Sequence, residues 1–177
     1  MKPLYPESFP MFWSLPQVLG YLGFILTIIA FLQKVDIRLK LISAIGCGVF
    51  SLHYFLLNDF TAASIMLISV ARNTTSMYTR SRWAAGFFIC IIIIAGYFTA
   101  KHWFSILLIF GQIWSTIALF FFQGIALRAV FSMSASFWLI NNISVGSIGG
   151  IATECCNLVA HSITIARLFK DRRKKVS

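Results

Sequence analysis

Two opposite charges stand inside apolar stretches of this chain, Arg72 and Glu154. Each is costly in such a setting unless it is paired, hydrated or put to use. Glu154, Asn157 and His161 follow one another at i, i+3 and i+7, which places them on one face of a helix. Around Arg72, the residues Ser69, Asn73 and Ser76 make a similar polar stripe. A guanidinium, a carboxylate, two amides and an imidazole make a recognition set. Arg72 could hold an anionic group or balance Glu154, Asn73 and Asn157 could hydrogen-bond a solute, and His161 could assist. The spacing predicts an Arg72–Glu154 interaction, direct or through water. His53 and His161 could also carry protons. The same stripes could instead be interhelical glue, since membrane helices use Asn and Ser for that too, and Arg72 could snorkel to a nearby membrane face.

Catalysis is a poor fit. There is no His-Glu-x-x-His, no Gly-x-Ser-x-Gly, no phosphate loop, and a single carboxylate inside the spans. Cys47, Cys90, Cys155 and Cys156 lack the paired spacing of a zinc site and read as small packing residues. The expectation is no enzyme, no cofactor and no metal.

The elements that must carry these residues are membrane spans. With 59% hydrophobic residues and only 11% charged, 177 residues cannot cover a soluble globule with polar groups. Seven apolar segments follow: about 16–32, 41–57, 60–78, 83–100, 103–122, a sixth ending near Asn141-Asn142, and about 147–169. Residues 1–15, with Phe9, Phe12 and Trp13, read as an interfacial lead-in to a retained first span. The net charge of +10 invites a nucleic-acid reading, but much of it sits in the tail 170–177 and just before it, after an apolar segment. Such clusters set topology and meet anionic lipid headgroups. Twelve of the 15 basic residues fall on one side of the seven spans. That predicts an outer N-terminus and a cytoplasmic tail. Close helix packing is expected where Gly146, Gly149 and Gly150, and Ala62, Ala63 and Ser64, supply small residues.

A shift of 84 residues lays Tyr54 on Trp138, Asn58 on Asn142 and Asn73 on Asn157, and a shift of 82 lays Arg72 on Glu154. The fold expected is therefore all-α, with seven transmembrane helices. Two parallel three-helix repeats, about 16–80 and 103–169, would be joined by a linker helix at about 83–100.

The run from His53 to Asn58, Ala71-Arg72-Asn73, Arg80-Ser81-Arg82-Trp83, and Gly146 to Gly150 with Glu154 resemble the YgjV-like bacterial inner-membrane family. Through its 3+1+3 plan that family is similar to the SWEET and PQ-loop group. This second resemblance implies alternating access, with Asn73 and Asn157 lining a pore from the third helix of each repeat. The hinge prolines of that group are replaced here, leaving Leu32-Gln33 and Phe122-Gln123. The function expected is transport of a small polar or charged solute across the inner membrane. The alternative is a scaffold or interaction protein whose polar stripes only hold helices together.

Overall fold

The computed structural model describes residues 13–31, 36–79, 81–122 and 124–174. The lead-in up to residue 12, Gln33, Gln123 and the last three tail residues lie outside the described residues. Among the described residues there are seven α-helices and no strand. They are α1 (Leu15–Phe31), α2 (Asp36–Leu56), α3 (Phe60–Tyr78), α4 (Arg82–Thr99), α5 (Trp103–Phe121), α6 (Gly124–Val145) and α7 (Ile148–Lys174). At 1.5 Å per residue these lengths match or approach a hydrocarbon core of about 30 Å.

Burial runs opposite to that of a soluble protein. Gln17, His53, Asn141 and Asn142 are fully buried, whereas Trp83, Tyr97 and Phe98 are 80%, 82% and 78% exposed. An apolar, aromatic outside around a polar inside suits a lipid environment. By length and composition, α4 and α5 each qualify as a span, and 15–30 and 41–56 are shorter apolar stretches. The others carry buried polar side chains: Arg72 on α3, Asn141 and Asn142 on α6, and Glu154 and His161 on α7. Those residues lower their mean hydropathy without touching the outer face.

Helix α2 packs between α1 and α3, and α6 packs between α5 and α7. The two groups meet through α1 against α7 and α3 against α5, while α4 lies on α3 and α5. Small residues set these crossings. A Cβ on Gly149 would run into the Gly20 backbone, so α7 and α1 touch main chain to main chain. Gly20 and Gly23 leave room for the rings of His53 and Phe50, and Gly96 leaves room for Ile109. Gly86 has nothing within 4 Å.

The turns ending α2 and α6 are built alike. Asn58 has φ 60° and Gly146 has φ 72°, the left-handed residue that ends many helices. The next amide reaches back in each case, Asp59 N–H to the Tyr54 carbonyl and Ser147 N–H to the Asn142 carbonyl. Asp59 then caps α3 through Ala62 N–H, and Ser147 receives Gly150 N–H. The residues in matching positions are thus Tyr54 and Asn142, which lie 88 residues apart. The two turns match at an offset of 88 residues, whereas the sequence alignment that set Trp138 opposite Tyr54 used 84.

Two boundaries also differ. The sixth helix runs on to Val145, because Asn141 and Asn142 turn their amides inward and Gly146 makes the turn. The seventh continues through the basic segment to Lys174.

Candidate functional site

Two polar layers occupy the interior. The first lies beside the α2–α3 and α6–α7 turns. His53 Nδ1 faces the Pro16 carbonyl at 2.5 Å, which can only accept, so this nitrogen donates. In the neutral ring Nε2 then accepts from the Ser147 hydroxyl at 2.6 Å. At the matching position of α6, Asn141 donates to Asp59 Oδ2 at 2.7 Å. Each middle helix therefore holds the cap of the other group's last helix. Between these bonds the Tyr54 hydroxyl donates to Asn142 Oδ1 at 2.6 Å, and its ring packs on Trp138 with centroids 5.7 Å apart. Gln17 of α1 donates to the Gly146 carbonyl and accepts from Ile148 N–H. This layer ties the two turns to the middle helices as a clamp, with Asn141 Oδ1 and Asn142 Nδ2 buried without a partner. Asn141→Leu should cost about 1–3 kcal/mol, since it strands one oxygen of a buried carboxylate. Thermal unfolding in detergent, compared with wild type, measures this.

The second layer is a cavity of about 170 Å³, deeper in the bundle, with Arg72, Gln112, Ser115, Trp138, Glu154, Asn157 and His161 in its lining. From the start of α7, Glu154 lies about 9 Å along the helix and His161 about 20 Å. Trp138 touches both layers, lining the cavity and packing on Tyr54.

Arg72 is buried and anchored on α5. It donates from Nη1 to Thr116 Oγ1 at 2.9 Å. With its amide oxygen toward the guanidinium, Gln112 accepts from Nη1 at 2.9 Å and Nη2 at 3.2 Å. Glu154 Oε2 accepts from Asn157 Nδ2 at 3.0 Å, a pairing along α7 itself. Arg72 and Glu154 line the same cavity but form no ion pair with each other. Of the interaction expected from sequence, direct or through water, the direct form is absent because Arg72 is drawn toward α5. Arg72 Nε, Asn157 Oδ1 and His161 Nδ1 are buried without a partner. Unpaired polar atoms are costly in an interior and rare in native proteins.

Of the residues singled out from sequence, Arg72, Glu154, Asn157 and His161 are brought together. Asn73 is not. It faces α2, with Nδ2 3.6 Å from Cys47 Sγ, while Ser69 turns toward Gln112 on α5. The stripe on α3 splits because two helices flank it. Gln112 was missed by sequence reasoning, although a lone amide in the strongly apolar run 103–121 is itself a signal. Asp59, not singled out from sequence, is buried and joins the clamp.

Comparison with known proteins agrees with the first resemblance, to the YgjV-like family. The chain is 29% identical over 165 residues to "Inner membrane protein YgjV" of Escherichia coli (strain K12), covering 93% of this chain and 90% of that protein. No solved structure matches the chain. The family model Imp-YgjV, described as bacterial inner membrane protein, matches residues 14–172. With almost the whole chain matched, and apolar helices enclosing a polar interior, this protein belongs to the Imp-YgjV family of bacterial inner membrane proteins.

Proposed function

We propose that this protein is a small-solute transporter, with its site between two parallel three-helix repeats, α1–α3 and α5–α7, joined by α4. The cavity carries the proposal. It brings a guanidinium and a carboxylate together without pairing them, and leaves buried polar atoms on three lining residues unsatisfied. A scaffold would gain stability by pairing these groups, whereas a solute site keeps them for the solute.

Helix adjacency supports the repeat plan. Exchanging α1 with α5, α2 with α6 and α3 with α7 leaves the contacts among those six helices unchanged. In the register of the matching turns, Asn73 stands opposite His161, and Asn157 opposite Ser69. The plan is then similar to that of the SWEET group, with alternating access at the cavity. The clamp near the turns would close one end of the path. The basic loops would face the cytoplasm, so that the clamp end is periplasmic.

The test is thermal unfolding of the purified protein against sugars, amino acids, carboxylates and polyamines. A solute that binds only the folded state stabilises it by about 2.7 kcal/mol at a hundredfold excess over its dissociation constant. Asn157→Ala should abolish the shift while the protein stays folded and monodisperse. A flat panel, with the variant merely less stable, would turn the reading toward a scaffold.

A further inference from the structure

The hydrogen-bonding inventory of the cavity is divided between its two sides, and the division names a solute class. On the α3–α5 side stand donors. Arg72 has five N–H groups. Thr116 and Gln112 engage both hydrogens of Nη1 and one of Nη2. What remains is the Nε–H, which is buried without a partner, and the second Nη2–H. Those two lie along one edge of the guanidinium, the fork that takes a carboxylate through two parallel bonds.

Acceptors stand on the α7 side. Glu154 uses one oxygen on Asn157, and among the described residues no hydrogen bond reaches its Oε1. Asn157 spends its Nδ2 on that bond, leaving Oδ1 unpartnered. A carboxylate oxygen beside an amide oxygen suits an ammonium, which brings three donors and no acceptor. The ring of Trp138 also lines the cavity, and an indole face attracts cations.

We infer that the cavity binds a small zwitterion, an amino-acid-like solute with its carboxylate on Arg72 and its ammonium on Glu154 and Asn157. This rests on the cavity being a solute site. Charge favours the zwitterion over simpler ions. A plain carboxylate would share the cavity with the Glu154 carboxylate, and a plain amine would share it with the Arg72 guanidinium; like charges in so small a space repel. A neutral sugar would leave both charges without a counter-charge. Size agrees, because a cavity of about 150 Å³ takes a molecule as large as benzene, and this one is about 170 Å³. Bound this way, the solute would bridge α3 and α7 and replace the missing contact between Arg72 and Glu154.

The experiment compares L-alanine, β-alanine and γ-aminobutyrate with propionate, ethylamine and glucose, by thermal unfolding and by calorimetry on the full chain in detergent. At least one amino acid should bind on the order of tenfold tighter than propionate or ethylamine, since each end makes charge-assisted hydrogen bonds. Glu154→Gln should remove that preference by weakening the amino acid and admitting propionate. If propionate, ethylamine or glucose binds wild type as well as any amino acid does, the zwitterion is wrong while the solute site stands. If none of these binds and the wider panel is also flat, the zwitterion and the solute site fall together. Should Glu154→Gln not fold, the ranking on wild type decides alone.

Discussion

Gly149→Val is expected to leave little or no folded protein in the membrane, and Gly149→Ala to lower stability by about 3 kcal/mol or more. Overpacking a filled interior costs about 1–3 kcal/mol when side chains can give way. At Gly149 they are not what gives way. The added Cβ would meet the carbonyl carbon, oxygen and Cα of Gly20, so two helix backbones would have to separate. Separation would also pull Ile148 N–H and the Gly146 carbonyl from Gln17, and Ser147 from His53. Gly86→Ala is the control, in open space on α4. It should be neutral or stabilise by about 0.5–1 kcal/mol, because an interior helical glycine is disfavoured against alanine. Size-exclusion profiles and unfolding midpoints measure both. A Gly149→Ala protein as stable as Gly86→Ala would show that α1 and α7 do not cross where described.

Arg72→Met should abolish solute binding and uptake, by on the order of a hundredfold or more in affinity. Truncating one partner of a buried charged hydrogen bond costs about 2–5 kcal/mol, and every 1.4 kcal/mol is about tenfold. Its effect on stability should be much smaller. Removing a buried guanidinium relieves a desolvation penalty that offsets the bonds it made. Thr116 keeps a partner in the Gln112 carbonyl, so its hydroxyl is not stranded. The pattern expected is a lost ligand shift with a nearly unchanged unfolding midpoint in the absence of solute. An unfolding free energy lowered by several kcal/mol, with uptake intact, would instead make Arg72 a helix-locking residue. Because Arg72 and Glu154 make no direct bond, a double-mutant cycle between them in stability should give a smaller coupling than one between Arg72 and Gln112, which hydrogen-bond directly.

Much of the site could be read from the chain because its carriers are helices. Glu154, Asn157 and His161 share a face by the helical period alone, and they line one cavity. Arg72 stood out as a charge in an apolar run, and it reaches the same cavity. Asn73 shows where that reasoning ends. Its spacing from Ser69 allows one stripe, but α2 takes one edge and α5 the other, so the two side chains part. Asn141 and Asn142 looked like a helix end because asparagines favour turns. Their burial and their bonds to Asp59 and Tyr54 hold them inside α6 instead.

Seven helices, membership of an inner-membrane family, and the residue types available to a polar interior were legible in the chain alone, since composition and period need no tertiary contact. Only the tertiary structure decided the 88-residue correspondence of the turns, the turning of Arg72 toward Gln112 and Thr116, and the freedom of Glu154 from Arg72. Those depend on which helices cross and how closely. The crossings are set by contacts such as Gly149 on Gly20, between residues far apart in the chain.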